Sequence, residues 1–302
     1  MGKVGDLFVV LLFRITKVLF FFFPRKFCLF LGRTAGLIFF HLDKRHRSIA
    51  LSNLKLAFGS KTSLPELKRI AKNSFKHFGE VLWDLIKISH FNDKKISRLV
   101  TCEGEENLQI ALKKGKGVLL FSAHYGNWEI ASTLLSKKAK LNVIARISDN
   151  KLLEIYIKKI RTIYGAKVIY KHQAIREVFR SLRANEIVAI LVDQNVLQDQ
   201  AVFVDFFGNQ AGTTPSLATF HLRTGSPIIP AFCYPSSPGK YHIKIQEPLH
   251  TTITGNTDQD IKKITQQCTK IIEAQIRKNP DFWLWFHNRW KSQPENHNNA
   301  QN

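Results

Sequence analysis

From about residue 100 onward, short apolar runs alternate with longer stretches of helical spacing. Gly117 to Phe121, Asn142 to Arg146, Ala166 to Tyr170, Ile187 to Val192 and Ser226 to Tyr234 read as buried strands. Between them, apolar positions recurring every three or four residues predict helices over Glu129 to Lys137, Asn150 to Tyr164, Gln173 to Asn185 and Ser216 to Thr224. Tyr241 to Gln246 alternates like an edge strand, and Asp258 to Lys278 is a late amphipathic helix. This alternation predicts an α/β fold with a largely parallel central sheet flanked by helices. Upstream, Arg45 to Phe58 has helical spacing. Ser63-Leu64-Pro65-Glu66 then opens a long helix reaching about Ser89, with Ser63 as its cap and Pro65 near its first turn. There is no internal repeat. Residues 292–302 are polar and Asn-rich and read as a disordered tail.

The first 44 residues have a different pattern. Val4 to Phe13 is apolar except for Asp6, and Val18 to Phe23 ends in four consecutive phenylalanines. Phe27 to Leu42 is mostly apolar, with Arg33 as its charged residue. Arg14, Lys17, Arg25 and Lys26 interrupt these runs, so none reaches the roughly 18–20 apolar residues of a clear spanning helix. No small-residue cleavage site follows the first run, which argues against a cleaved signal peptide. Two arrangements are open: a pair of core helices covering the domain, or apolar helices lying in a membrane interface with Lys and Arg snorkelling to headgroups. Successive phenylalanines cover more than one helix face and favour the membrane; whether the segment spans it stays open. The expected division is therefore an apolar membrane-associated segment over 1–44, a main domain over 45–291 and a tail over 292–302.

Composition narrows the partners. The 302 residues include 45 Lys and Arg against 23 Asp and Glu, a formal charge of +22, and 44% are hydrophobic, enough for a sizeable core. Such charge suits nucleic acid, an anionic membrane or an acidic partner. No zinc-finger spacing, RNA-recognition motif or glycine-rich phosphate loop is present, and the aromatic residues cluster in apolar runs, so nucleic acid is not expected. Cys28, Cys102, Cys233 and Cys268 have no pair spacing, which suits a reduced, cytosol-facing domain.

The chemistry concentrates in Ser122-Ala123-His124-Tyr125-Gly126-Asn127-Trp128-Glu129. Inside one helix, His124 and Glu129 would lie about 140° apart. Chemistry between them needs His124 ahead of the helix and Glu129 in its first turn, with Gly126 allowing the bend. So arranged, Glu129 would hold one ring nitrogen while the other takes a proton from an attacking hydroxyl. Ser122 is not in a Gly-x-Ser-x-Gly elbow, which favours direct attack by a substrate hydroxyl over a covalent intermediate. The spacing differs from His-Glu-x-x-His zinc sites, so no metal is expected. The competing reading is a helix-capping carboxylate beside a satisfied histidine.

With these residues in view, the chain resembles the lipid A late acyltransferase family, within the wider His-x4-Asp/Glu acyltransferases. RHRSIALSNLKLAF resembles its opening segment and SAHYGNWE its first catalytic block. ARISDN with IRTIYGAKVI, LVDQN with VFVDFFGNQAGTTPSLA, SPIIPAF, and FWLWFHNRWK follow in order, from about Arg45 to Lys291. The resemblance implies an enzyme with a glycerolipid-acyltransferase-like fold at the cytoplasmic face of a bacterial inner membrane. It implies transfer of a fatty acyl chain from an acyl carrier protein or coenzyme A thioester to a hydroxyl of a lipid A precursor. His124 would be the base and Glu129 its orienter, with no cofactor beyond the thioester co-substrate. An acidic carrier protein, a phosphorylated glycolipid and an anionic membrane would all be drawn to a basic surface.

Other positions carry over with two readings each. Arg146, Asn150 and Arg161 fall in the second block; the arginines would anchor phosphate or donor, or form ordinary salt bridges. Asp193 and Gln194 end a strand, where Asp193 would orient the acceptor or pair with an arginine. Thr213 and Thr214 would bind substrate or cap a helix. Trp283, Trp285, His287, Arg289 and Trp290 read as anchors of a terminal helix near lipid. The chain has neither the Asn-His-x4-Asp block nor the Phe-Pro-Glu-Gly-Thr-Arg-like block of the glycerolipid relatives, which argues against a glycerol phosphate acceptor. Acylation of another membrane lipid, such as a lysophospholipid or ornithine lipid, is the second enzymatic reading. A non-catalytic basic membrane-binding protein is the third.

Overall fold

The computed structural model describes residues 3–59, 61–170 and 174–294. Helix α1 (Lys3–Phe22) and helix α2 (Arg25–Leu42) are separated by a break at Pro24 and followed by α3 (Lys44–Phe58) and the long α4 (Leu64–Ile88). Pro24 has no N–H and follows an apolar run, so the chain turns there and restarts as a new helix. Then come α5 (Asp93–Leu99), β1 (Val100–Glu103), α6 (Glu105–Leu112), β2 (Val118–Ser122), α7 (Trp128–Lys138), β3 (Leu141–Ala145), α8 (Lys151–Thr162) and β4 (Lys167–Tyr170). The remainder is α9 (Ala174–Arg183), β5 (Ile187–Leu191), β6 (Val202–Phe206), β7 (Asn209–Thr213), α10 (Ser216–Thr224), β8 (Ile228–Ser237), β9 (Lys240–Ile245) and α11 (Thr257–Lys278).

Seven strands form one sheet in the order β1-β9-β8-β2-β5-β3-β4, and β6–β7 is a separate antiparallel hairpin. Pairing is parallel throughout the sheet except between β8 and β9. The expected fold class is therefore the observed one. Strand β2 shows why its run reads as continuously apolar: Leu119 and Phe121 face one core cluster while Val118 and Leu120 face another. A strand covered by helices on both faces has no polar side to present. The first cluster includes α3, α4, α9, α10, α11 and the terminal tryptophans; the second includes α5, α6 and α7.

Helix α2 rests on α4 through small residues. A Cβ added at Gly36 would sit 2.1 Å from the Phe75 carbonyl oxygen, so α2 and α4 meet backbone to backbone. Among the described residues, no helix is long and apolar enough to cross a membrane. Of the basic residues expected to snorkel, Arg25 instead turns inward and pairs with Asp84 on α4.

Several elements differ from the expectation. Helices α5 and α6, strand β1 and the β6–β7 hairpin were not predicted, because short elements with mixed polarity carry little periodicity. The FWLWFHNRWK segment is no terminal helix: a short 3-10 turn at Pro280–Phe282 leads into irregular chain. Its tryptophans do not face lipid, since Trp283, Trp285 and Trp290 are all buried in the core. Residues 295–302 of the expected tail lie outside the described residues.

Candidate active site

His124 stands just beyond β2 and Asp193 just beyond β5. The two strands pair in parallel with Ser122 opposite Leu191, so positions two steps further along each strand arrive at the same level. The ring Nδ1 of His124 lies 2.8 Å from Asp193 Oδ1, and the His124 backbone N–H donates to Asp193 Oδ2 at 2.8 Å. The Trp283 indole N–H donates to the same Oδ2 at 2.8 Å. An ionised carboxylate only accepts, so the neutral imidazole carries its proton on Nδ1 and presents a lone pair at Nε2. Burial pushes the Asp193 carboxyl up, but the His124 charge and the His124 and Trp283 hydrogen bonds more than offset it. Its pKa therefore sits below the ordinary carboxylate value. The side-chain nitrogen of Gln194 approaches His124 Nε2 at 3.4 Å, the edge of hydrogen-bond range.

The turn carrying His124 is clamped from both sides. Gly126 has φ +61°, and a Cβ there would meet the Cys233 carbonyl oxygen at 1.8 Å, so only glycine fits. Its N–H donates to Phe282 O at 2.9 Å, the Asn127 N–H to Cys233 O at 2.9 Å, and the Leu284 N–H to His124 O at 3.1 Å. Asn127 then caps α7, its Oδ1 accepting from the Ile130 N–H at 3.1 Å. The chain bends where the sequence required, with His124 ahead of the helix and Glu129 in its first turn.

Glu129 nevertheless does not orient His124. Its carboxylate is held by Arg161 of α8, with Nε to Oε2 at 3.1 Å and Nη2 to Oε1 at 2.5 Å, and accepts from the Trp128 indole at 3.2 Å. Trp128 stands between the two residues, its ring centroid 5.1 Å from that of His124. Fork geometry explains the pairing: a guanidinium satisfies both carboxylate oxygens at once, which an imidazole does not. The expected roles of Glu129 and Asp193 are thus corrected, since Asp193 holds the ring and Glu129 binds Arg161.

The remaining expected site residues divide. Arg146 pairs with Asp149 on the surface. Asn150 caps α8, its Oδ1 accepting from the Leu153 N–H at 2.9 Å while its Nδ2 donates to the Asp6 carbonyl of α1 at 3.1 Å. Thr213 is buried, donates to Ala211 O at 3.0 Å and accepts from Arg289 Nη2. Thr214 Oγ1 bonds the Ser216 hydroxyl at 2.8 Å and accepts from the Ser216 N–H at 3.3 Å, but the cap residue of α10 is Pro215, so Thr214 is not its cap. His287 Nε2 accepts from the Asn195 N–H at 3.0 Å, and burial pulls its pKa down to about 4, so it is neutral near pH 7. Trp283 was read as an anchor, and its role under Asp193 had no signal in local sequence. Among the described residues, no cluster of His, Cys, Asp or Glu is arranged to hold a metal ion.

The sequence profile of the bacterial lipid A biosynthesis acyltransferases matches residues 5–292. The chain is 24% identical over 273 residues to the lipid A biosynthesis palmitoleoyltransferase of Escherichia coli, covering 90% of this chain and 87% of that protein. It is 25% identical over 272 residues to a lipid A biosynthesis acyltransferase of Haemophilus influenzae, covering 88% and 84%. A phosphatidylinositol mannoside acyltransferase of Mycobacterium tuberculosis is 24% identical over 225 residues, covering 72% and 69%.

Proposed function

This chain belongs to the bacterial lipid A biosynthesis acyltransferase family, and from that premise we propose that it moves a fatty acyl chain from a thioester donor to a lipid A precursor by general-base catalysis at His124. The observation that carries the mechanism is the His124–Asp193 pair, which leaves Nε2 as the proton acceptor. Nε2 takes the proton of the acceptor hydroxyl as its oxygen attacks the thioester carbonyl carbon. The tetrahedral intermediate collapses with cleavage of the C–S bond, and the imidazolium returns the proton to the departing thiolate. The products are a new ester and a free thiol, with no acyl-enzyme. Asp193 fixes the tautomer and stabilises the imidazolium. Glu129 and Arg161 tie α7 to α8 and hold Trp128 beside the ring. No cofactor beyond the thioester enters this scheme.

The setting follows from charge and exposed apolar surface. Phe22 and Leu42 are about three-quarters exposed, and Val18, Phe21 and Phe30 are at least 60% exposed, all on α1 and α2. A surface this apolar on an otherwise basic protein suits an anionic membrane, on which α1 and α2 lie at the cytoplasmic face of the inner membrane. Acyl carrier protein, being acidic, is the donor the +22 chain favours.

The test is turnover by the protein on anionic vesicles, supplied with acyl carrier protein thioesters and a lipid A precursor, with products read by mass spectrometry. Acylated precursor is expected, with His124→Ala reducing kcat by about 10²–10⁴-fold. Wild-type turnover by His124→Ala would overturn the mechanism. Acylation of a lysophospholipid, an ornithine lipid or a phosphatidylinositol mannoside in preference to the lipid A precursor would overturn the acceptor. Membrane binding without thioester consumption would overturn the enzymatic reading.

A further inference from the structure

Behind the catalytic turn lies a buried polar cluster that the acyl-transfer scheme does not use. Asp84, on α4, is fully buried. Its two oxygens accept from Arg25 Nε and Nη2, each at 2.6 Å. Asp84 Oδ2 also accepts from Asn127 Nδ2 at 3.2 Å. Arg25 opens α2, donates through Nη1 to the Gly239 carbonyl, and lies 5.6 Å from the centroid of the Tyr241 ring. Asn127 is itself fully buried, three residues after His124 and two before Glu129.

Asn127 has one side chain with two duties. Its Oδ1 caps α7, and its amide nitrogen must then point the other way, where Asp84 is the acceptor. Without that acceptor, the buried NH2 group keeps only the Tyr241 hydroxyl beside it and loses the charged partner that holds its orientation; turned over, the amide would put a donor against the Ile130 N–H. Asp84 in turn needs Arg25, because a carboxylate this deep is costly unless paired. We propose that Asp84 is a positioning residue for acyl transfer: through Asn127 it sets the catalytic turn between His124 and Glu129, and Arg25 makes α2 part of that scaffold. The proposal rests on the acyl-transfer reading only for its kinetic readout. Arg25 thereby ties the helices with the most exposed apolar surface to the residues nearest the reacting atoms.

A merely structural ion pair makes a different prediction, and paired substitutions separate the two. Replacing a buried pair with apolar side chains of similar size keeps stability, so Arg25→Met/Asp84→Met removes the charges and the acceptor together. Its melting temperature should fall by only a few degrees, the cost of one weakened buried amide and cap, and its KM should change little, while kcat falls about 10–100-fold from misplacement of the turn. Arg25→Met/Asp84→Asn restores a neutral acceptor at position 84, and its kcat should return to within about threefold of wild type. Hydrogen exchange gives a readout independent of turnover. The Ile130 and Ala131 amides, which donate to Asn127, should lose protection in the Met/Met variant and keep it in the Met/Asn variant.

If wild-type protein shows no transfer, the acyltransferase reading fails and the exchange data still decide the positioning role. Unchanged kcat and unchanged exchange in the Met/Met variant would overturn the proposal. Should that variant not fold, Asp84→Asn/Asn127→Asp keeps one carboxylate and one amide in the cluster. The two changes should then compensate in kcat, and losses that simply multiply would overturn the proposal.

Discussion

Asp193→Asn isolates the tautomer from the shape of the site. Three donors converge on the native carboxylate: the ring N–H at Oδ1, and the His124 backbone N–H and Trp283 indole N–H at Oδ2. An asparagine offers one oxygen and one NH2 group, so one side must oppose a donor. At the Oδ2 position the amide nitrogen would face two donors that cannot change. At the Oδ1 position it faces a ring nitrogen that can shed its proton to the other side. The asparagine oxygen therefore takes the Oδ2 place, and His124 switches to the Nε2–H tautomer. The nitrogen facing the acceptor hydroxyl is then a donor and no longer a base, and kcat should fall by about 10⁴-fold, the size known for the equivalent change in a serine protease triad. The hydrogen bonds lost are charge-assisted, so the destabilisation should be about 1–3 kcal/mol, small enough for a folded enzyme. Rates come from single-turnover acyl transfer and the tautomer from ring ¹⁵N chemical shifts. Glu129→Gln is the control, expected to keep the Nδ1–H tautomer. If Glu129→Gln switches the ring and Asp193→Asn leaves it unchanged, the assignment of Asp193 as orienter is refuted.

Two further outcomes follow from the clamped turn and its surroundings. Gly126→Ala places a Cβ 1.8 Å from a carbonyl oxygen at a φ of +61°, so urea denaturation should show a loss of about 3 kcal/mol or more; a loss under about 1 kcal/mol would show that the turn yields easily. His287 has a pKa lowered to about 4 by burial, against about 6.5 in the unfolded chain, so between these values the unfolded state binds the extra proton. Stability should rise with pH across roughly 4–6.5 and be lost as pH falls through that window, by about 3 kcal/mol. His287→Gln keeps an acceptor for the Asn195 N–H and should flatten the pH dependence of melting in that range; an unaltered slope would remove His287 as its source.

What could be read from the chain, and what could not, turns on sequence distance. The strands of the sheet core were legible because double burial leaves uninterrupted apolar runs, and the bend before α7 was legible because Gly126 and the first-turn acid lie within eight residues of each other and of His124. His124 and Glu129 were natural partners on that scale. The true partner lies 69 positions away. Chain order offers β3 and β4 as successors of β2, yet the sheet inserts β5 between β2 and β3, and that insertion sets the Asp193 corner against the His124 corner. No periodicity in a single strand reports which strand lies beside it. The pairing of Glu129 with Arg161 was hidden for the same reason, as was that of Asp84 with Arg25.

The two carboxylates now separate by what surrounds them. Asp193 is approached by one titratable ring and two fixed N–H donors, so its charge serves the ring. Glu129 is approached by a guanidinium and an indole, so its charge is already balanced when the ring is neutral. In the proposed mechanism, an imidazolium formed during transfer finds one carboxylate in contact and not hydrogen-bonded to a guanidinium, although the buried Arg289 also feels the Asp193 charge. The burial that makes Asp193 costly to ionise also makes its attraction for the imidazolium stronger than it would be in water. That asymmetry gives the acid five positions after His124 a structural reason to exist even though it never touches the ring. By bonding Arg161 and the Trp128 indole, it fixes Trp128 against the imidazole.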